Sequence, residues 1–345
     1  MKIIIDAMGG DNAPDEIVLG ALRAAKEFQT EVVLVGRGEE ILRGMKANGL
    51  DNLPEGVEIA NAEDMVDMHA DPTQVVQQHR NSSMVVGLKM LADGAGDAFI
   101  SAGNSGALLT AATLLVKRIR GIRRAAFAPL LPTEKDGAIL IDAGANIECT
   151  PEFLMQFGCM GALYAQKALG IPQPRVALLN NGAEDTKGDE LHKGAYALLD
   201  KAGQTGLIRF AGNIEARDVL TGAADVIVAD GFSGNVLLKS TEGTAIFMSR
   251  MIKDMFRRSL LSKIGYLCCK KGVQKIRETM DYRETGGSVL VGLNKPVIKA
   301  HGSSDALAIR GAMRQAITAV KSGFCEEIRA NISKMTLPRE VPHAE

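Results

Sequence analysis

Several features that would mark particular classes of protein are missing from this 345-residue sequence. Its five cysteines, an odd number with one adjacent pair, are a poor basis for a disulfide framework, and no CxxC or HxxxH spacing indicates a metal site. No stretch approaches the roughly 20 apolar residues of a membrane span, and the N-terminal apolar run is too short for a signal peptide. We therefore expect a cytoplasmic protein with reduced thiols, and with no metal or other cofactor.

An excess of charge of one sign is also missing from the chain as a whole. The formal net charge is −1, so no global field attracts nucleic acid, and we expect no nucleic-acid partner. The charge is uneven along the chain, however, because residues 250–284 carry ten Lys or Arg against four Asp or Glu. A locally basic segment of this kind suits an anionic surface.

Aromatic residues are scarce, at 4%, whereas 37 residues are glycine, a combination that suits close packing of helices on a sheet. Short β-type runs alternate with helical patterns. The predicted strands include Lys2–Ile5, Val32–Val35, Ala98–Ile100, Ala138–Ile141, Val176–Leu179 and Asp225–Val228. The alternation predicts an α/β fold with a mostly parallel sheet covered by helices, in a single domain over residues 1–335. Residues 336–345 are predicted to be a flexible tail.

Residues 244–285 interrupt this alternation with apolar residues at helical spacing, so we predict an inserted helical hairpin. One interpretation is that its Met and Phe stripe packs in a dimer. Another is that a basic, apolar tip rests on an anionic membrane. The two are compatible. The apolar residues of the predicted tip are Leu260, Leu261, Ile264 and Leu267.

Polar turns follow the predicted strands, and ligands of α/β proteins bind at the carboxyl ends of strands. We therefore expect the turns to line one cleft. The most specific is Ser101–Gly106, in which Gly103, Asn104 and Ser105 open a helix whose N-terminal N–H groups favour an anion. An ordinary turn with an N-cap would have the same pattern.

Two other turns resemble it. One is Asp230–Asn235, which contains Gly231 and Gly234 and precedes a helix that we expect to begin near Val236. Lys239 lies about one turn into that helix and could face a bound phosphate. A solvated lysine and a structural turn would look the same. The turn Asp142–Asn146 follows another strand and adds Asp142 and Asn146 as candidate ligands.

Loops with a basic side chain follow two further strands. Lys187 ends the polar loop 180–188, although an exposed lysine is more often a solvated surface residue. His301 begins the small polar turn that contains Gly302, Ser303 and Ser304, and it has the most site-like setting of the five histidines.

The N-terminal loop, with Asp6, Gly9, Gly10 and Asp11, follows the first strand, but its adjacent glycines do not match the dinucleotide-binding GxGxxG pattern. Neither GxxxxGK[ST] nor GxSxG occurs in the chain.

Seven short motifs occur in order: DAMGGD (6–11), NSSM (81–84), SAGNSGAL (101–108), DAGAN (142–146), NIEARD (213–218), DGFSGN (230–235) and HGSSD (301–305). Together they resemble the bacterial phosphate acyltransferases of phospholipid synthesis over roughly residues 1–320. The segment 77–80, Gln-Gln-His-Arg, departs from the more basic run of that family.

This resemblance implies transfer of a long acyl chain from acyl carrier protein to inorganic phosphate, and an acyl phosphate that feeds a membrane glycerol-3-phosphate acyltransferase. It also implies a homodimer with the three-layer α-β-α fold of isopropylmalate dehydrogenases and phosphate acetyltransferases, plus the hairpin. We expect peripheral association with the inner face of the cell membrane.

Phosphate is itself the nucleophile in such a reaction, so the protein has to align it with the thioester and stabilise the oxyanion. We expect Asn104, Ser105, Asn235 and Lys239 to bind phosphate, with Lys187 or His301 assisting the oxyanion or the departing sulfur. The alternatives are a dehydrogenase on the same fold, a short-chain phosphate acyltransferase that uses coenzyme A, and a non-enzymatic, membrane-recruited scaffold.

Overall fold

The computed structural model of the chain describes residues 1–135, 137–280 and 286–336. Its strands are β1 (Lys2–Asp6), β2 (Glu31–Gly36), β3 (Val57–Asn61), β4 (Ala98–Ser101), β5 (Ala126–Leu131), β6 (Ala138–Ile141), β7 (Arg175–Asn180), β8 (Arg209–Glu215), β9 (Val226–Val228), β10 (Ser288–Val291) and β11 (Val297–Lys299). Its α-helices are α1 (Asp15–Phe28), α2 (Gly38–Ala47), α3 (Val75–Gln78), α4 (Ser83–Ala92), α5 (Ser105–Leu115), α6 (Pro151–Ala168), α7 (Glu190–Gln204), α8 (Gly231–Arg257), α9 (Leu260–Met280), α10 (Ala306–Ser322) and α11 (Phe324–Asn331). The predicted tail lies outside the described residues except for Thr336, as do residues 281–285 of the predicted hairpin.

The strands form one mixed sheet in the order β3-β2-β1-β4-β11-β10-β5-β6-β9-β7-β8. Neighbours are parallel within β3-β2-β1-β4-β11 and within β6-β9-β7-β8. The pairs β11-β10, β10-β5 and β5-β6 are antiparallel. Three successive reversals leave the two parallel blocks running in opposite directions, so their carboxyl ends lie at opposite edges of the sheet. This corrects the expectation that all the polar turns line one cleft.

Alternating side chains of the strands pack into separate cores on the two faces of the sheet, because successive strand residues point to opposite faces. In β1, Ile3 and Ile5 join the core that also contains Phe157 of α6, whereas Ile4 joins the core that contains Leu88 of α4. All five side chains are fully buried. Helices therefore cover both faces, and the protein has the predicted three-layer α-β-α architecture.

The predicted helical hairpin is formed by α8 and α9, which pack against each other. Phe256 and Tyr266 pack edge to face across it, with ring centroids 5.4 Å apart. Helix α8 begins at Gly231 rather than near Val236, because the Asp230 side chain accepts hydrogen bonds from the N–H groups of Phe232 and Ser233 and caps the helix earlier. No helix in the described part of the chain is long and apolar enough to cross a bilayer.

Candidate functional site

Three turns meet at the carboxyl ends of β1, β4 and β11, which are neighbours in the sheet. The N–H group of Asp11 donates to the carbonyl oxygen of Gly302 at 2.8 Å, which joins the first turn to the third. A Cβ atom on Gly9 would lie 2.8 Å from the backbone nitrogen of Gly103, so the first and second turns also touch. Only glycine allows backbones to approach this closely. We call this group of turns, residues 6–11, 101–104 and 299–304, the three-turn cluster.

A buried carboxylate lies beneath the cluster. Asp6 accepts hydrogen bonds from the Ser101 hydroxyl at 2.6 Å and from the Met8 N–H group at 3.2 Å. Burial raises the pKa of Asp6, while these hydrogen bonds oppose that rise. Asp6 is only 1% exposed, and its carboxylate accepts hydrogen bonds from both turns, so it holds the two turns together.

The second turn opens helix α5 and offers hydrogen-bond donors to an anion. Asn104 is the N-cap, and its side-chain oxygen accepts from the N–H group of Ala107 at 3.0 Å. The cap satisfies this donor, whereas the N–H groups of Ser105 and Gly106 belong to the first turn, where a helix has no internal acceptors. The positive end of the helix dipole adds to their attraction for an anion. Both predicted interpretations of this turn, cap and anion site, are therefore compatible.

A lysine at the last position of β11 is the main site residue that the sequence reasoning missed. The Lys299 ammonium donates hydrogen bonds to the carbonyl oxygens of Ala102, at 3.4 Å, and Ala300. Burial, and then the positive charge of Lys239, lowers its pKa to about 8. The signal in the sequence was a lysine that ends an otherwise apolar strand, two residues before His301.

Helix α8 brings a second lysine to the same cluster. Lys239 forms an ion pair with Glu242 at 2.7 Å, and its charge acts on both Lys299 and His301. Partial desolvation of the imidazole, and then the positive charge of Lys239, lower the pKa of His301. Its Nδ1 atom lies 2.9 Å from the Ser303 hydroxyl oxygen. The structure thus brings the predicted Lys239 and His301 together and adds Lys299 and Glu242.

Ser304 completes the third turn. Its hydroxyl donates to the carbonyl oxygen of His301 at 2.6 Å, and the side chain is buried. The Asn12 side chain donates to the carbonyl oxygens of Ser303 and Ser304, both at 3.2 Å. These bonds hold the backbone around His301 in position.

The turns after β6 and β9 lie at the opposite edge of the sheet. Asp142 is fully buried, and its carboxylate accepts from the N–H groups of Phe127, Ala145 and Asn146. Burial raises the pKa of Asp142. The Asn146 carbonyl oxygen accepts from the N–H group of Gly231 at 2.7 Å. With their polar atoms bonded to the protein itself, Asp142 and Asn146 shape this turn.

Helix α8 packs tightly against that turn at its start. A Cβ atom on Gly231 would lie 2.5 Å from the Asn146 carbonyl oxygen, and one on Gly234 would lie 1.9 Å from the carbonyl oxygen of Asp142. The two glycines of the DGFSGN motif therefore allow close backbone approach and fix the direction of the helix.

Asn235 and Lys187 are placed differently from each other. Asn235 is exposed and lies one turn before Lys239 on the same face of α8. It packs beside the turn after β6, since a Cβ atom on Gly144 would lie 3.6 Å from its side chain. Lys187 is exposed in the loop after β7, where its N–H group donates to the carbonyl oxygen of Glu184. The structure therefore places Asn235 at the start of α8, one helical turn before Lys239, and leaves Lys187 in the loop after β7.

The thiols lie apart from the three-turn cluster. All five cysteines are free, and burial raises the pKa of Cys149 to about 11 and that of Cys159 to about 12. Within residues 1–135, 137–280 and 286–336, no group of three or more His, Cys, Asp or Glu side chains is arranged to hold a metal ion.

Solved structures define the class of the fold. A phosphotransacetylase from Streptococcus pyogenes superimposes with a TM-score of 0.60 at 20% sequence identity, and the match covers 93% of this chain and 94% of that one. A 4-hydroxythreonine-4-phosphate dehydrogenase from Salmonella typhimurium does so with a TM-score of 0.52 at 15% identity, covering 92% and 99%. The protein has the three-layer fold that these transacetylases and dehydrogenases share.

Sequence relatives narrow this class. The family described as "Fatty acid synthesis protein" matches residues 1–327. A phosphate acyltransferase from Desulfitobacterium hafniense is 44% identical over 341 residues, covering 99% of this chain and 100% of that protein. Another from Caldanaerobacter subterraneus is 43% identical over 333 residues, covering 96% and 97%. The chain belongs to this family of bacterial phosphate acyltransferases and is an acyltransferase.

Proposed function

We propose that the protein transfers a long acyl chain from acyl carrier protein to inorganic phosphate at the three-turn cluster. The observation that carries this proposal is the convergence of Lys239, Lys299 and His301 beside the N-terminus of α5. Two ammonium groups and unpaired helical N–H groups form a site for a small, multiply charged anion. The same fold hosts dehydrogenases, so the site and the family support this function, and the fold alone does not.

Phosphate bound there would attack the thioester carbonyl carbon directly. The new C–O bond forms, the C–S bond breaks, and the thiol sulfur leaves with the electron pair and takes up a proton. Alignment of the two reactants removes much of the entropic cost, and the cationic cluster stabilises the oxyanion. Because a thiol has a pKa of about 8.5, the leaving group needs little assistance.

The candidate residues take different roles in this mechanism. Lys239, Lys299 and the N–H groups of Ser105 and Gly106 hold phosphate. His301, whose lowered pKa keeps it uncharged at pH 7, accepts or returns a proton at the reacting oxygen or sulfur. Asn235, one turn from Lys239, is suited to donate a hydrogen bond to the thioester oxygen. Lys187 retains a role only if a second copy of the chain brings it to the cluster.

The decisive experiment measures phosphate-dependent thiol release from palmitoyl-acyl carrier protein, with palmitoyl-coenzyme A as the parallel donor. We expect release with the carrier protein and an acyl phosphate that hydroxylamine traps. No release with either donor would refute the proposal. Release with coenzyme A alone would instead favour the short-chain type of enzyme.

A covalent route through a cysteine is the main mechanistic alternative. With pKa values of about 11 and 12, Cys149 and Cys159 are protonated thiols at neutral pH and are weak nucleophiles. We therefore expect the Cys149→Ser, Cys159→Ser double variant to keep its turnover. Loss of activity in a folded variant would reinstate an acyl-enzyme.

We further propose that the hairpin serves both dimerisation and contact with the membrane that holds the downstream glycerol-3-phosphate acyltransferase. Leu261, Ile264 and Leu267 are 81%, 59% and 71% exposed, which is unusual for apolar side chains at three neighbouring positions. Exposed Arg257 and Lys263 would attract anionic lipid. The side chain of Leu260, the fourth predicted tip residue, lies outside the described ones.

Flotation with vesicles that contain anionic lipid tests the membrane contact. The Leu261→Glu, Ile264→Glu variant should float less than the unaltered protein, because a charged side chain at the interface opposes insertion. Equal flotation, with equal sedimentation of the two free proteins, would exclude the tip as the contact.

A further inference from the structure

An open groove lies between the hairpin and the sheet and belongs to none of the turns described above. Its volume is about 550 Å³, within the range of small-molecule sites. Pro132 and Leu220 lie on the side of the sheet, and Thr241, Ala245 and Gly272 lie on the two helices of the hairpin. The Thr241 hydroxyl donates to the carbonyl oxygen of Leu237 in its own helix, so its polar atom is already bonded.

The groove begins beside the three-turn cluster. Pro132 follows the carboxyl end of β5, and β5 is separated from β11 by one strand. Lys299 is level with Pro129 of β5, three residues before Pro132. With strands about 4.8 Å apart and about 3.3 Å per residue along a strand, Pro132 lies on the order of 14 Å from Lys299. On the hairpin side, Thr241 lies two residues beyond Lys239. The near end of the groove therefore lies next to Lys239 and close to the site proposed for phosphate and the thioester.

From there the groove runs along the hairpin away from the cluster. Ala245 lies four residues beyond Thr241, or about 6 Å along the helix. Gly272 lies as far after the turn between α8 and α9 as Ala245 lies before it, so the two are level in the antiparallel hairpin. A Cβ atom on Gly272 would meet nothing within 4 Å, which shows the open space at this position.

We propose that this groove binds the acyl chain of the donor and sets the preferred chain length, an inference that rests on the proposed function. A long, flexible, uncharged chain suits this groove, because most of its exposed lining is apolar, with Glu134 and Lys275 as its charged lining residues. The thioester carbonyl would lie at the three-turn cluster, and the far end of the chain would pass between Ala245 and Gly272. Each methylene group buried there should raise kcat/KM by about fourfold until the groove is full.

The test fills the far end of the groove. Gly272→Leu adds four carbon atoms at a helical position and should displace about three methylene groups of a long chain. With a palmitoyl donor we expect kcat/KM to fall by about 50-fold, whereas a butyryl donor should lose no more than about twofold. Gly265→Leu is the matched control, because Gly265 lies two turns earlier in α9, also has nothing within 4 Å of a Cβ atom, and does not line the groove.

A direct binding measurement separates this inference from the proposed function. A fluorescent long-chain fatty acid should bind the unaltered protein and Gly265→Leu equally, and Gly272→Leu at least tenfold more weakly. That result would support the groove even if no acyl phosphate were formed. Equal binding to all three proteins, or an equal loss of activity with both donors, would overturn it. A changed monomer–dimer equilibrium of Gly272→Leu alone would assign the groove to a second copy of the chain and also overturn it.

Discussion

Replacement of Lys299 by Met should weaken phosphate binding while making the folded protein more stable. The two effects have one cause, the ammonium group held largely out of water beside a second cation. Burial and Lys239 lower the pKa of Lys299 from 10.5 to about 8. If Lys299 served only to stabilise the fold, its charge would not lie where it is unfavourable. Its replacement would in that case destabilise the protein.

The size of the stability effect follows from the pKa. A shift from 10.5 to about 8 corresponds to roughly 3 kcal/mol of destabilisation when Lys299 is charged. Loss of the two hydrogen bonds to backbone carbonyl oxygens costs about 1 kcal/mol each. At pH 7 we therefore expect Lys299→Met to be more stable by about 1 kcal/mol. The cost of the charge is fully present below pH 8 and disappears as the pH rises from 8 to 10.5. The gain should therefore vanish within that interval and become a loss of up to about 2 kcal/mol, which corresponds to the two missing hydrogen bonds.

The effect on catalysis should have the opposite sign. A hydrogen bond between charged groups contributes about 1.5–3 kcal/mol, so the phosphate KM should rise by about 10- to 100-fold at pH 7. In the unaltered protein the phosphate KM should also rise as the pH passes 8 and Lys299 loses its proton. The variant should lack this dependence.

Initial-rate kinetics with varied phosphate, together with urea unfolding between pH 7 and 10, measure both effects. Lys295→Met is the matched control, because Lys295 lies before the other end of β11 and also donates to a backbone carbonyl oxygen. It should leave the phosphate KM unchanged and should not stabilise the protein. An unchanged phosphate KM in Lys299→Met, or a loss of stability at pH 7, would refute the reasoning.

Two further predictions concern α8. Lys239→Gln should raise the pKa of His301, because it removes a positive charge that disfavours the protonated imidazole, and Glu242→Gln should lower it, because it removes a negative charge that favours that form. An NMR titration of the imidazole measures both pKa values. Shifts of the same sign in the two variants would contradict the proposed arrangement. Gly234→Ala would force a Cβ atom to within 1.9 Å of a backbone carbonyl oxygen and should cost about 3 kcal/mol or more of unfolding free energy. The control Gly243→Ala, at an open position of the same helix, should instead stabilise the protein by up to about 1 kcal/mol. Equal urea midpoints for the two variants would rule out the close packing at Gly234.

The sequence predicted the parts of the molecule that depend on neighbouring residues. Strand β6 has its predicted bounds, and the turn 101–106 forms the predicted helix N-terminus with Asn104 as its cap. The hairpin was recognisable because its apolar residues repeat at helical spacing over two long segments. The predicted start of α8, near Val236, was five residues too late, because the sequence pattern alone did not identify Asp230 as the helix cap.

The arrangement of these parts was decided by contacts between segments far apart in the chain. The antiparallel strands β10 and β5 reverse the direction of the sheet, and no local pattern records which strands pair. That reversal separates Lys187 from His301, although each is a basic residue in a polar loop that follows a strand.

By itself, the sequence determined the α/β class, the turns that open helices and the family, because propensity, capping and motif order are properties of short segments. Only the tertiary structure decided which turns meet. It also decided that Lys299 lies beside Lys239 with a pKa of about 8, because burial and the field of a charge distant in sequence depend on the packing of the whole chain.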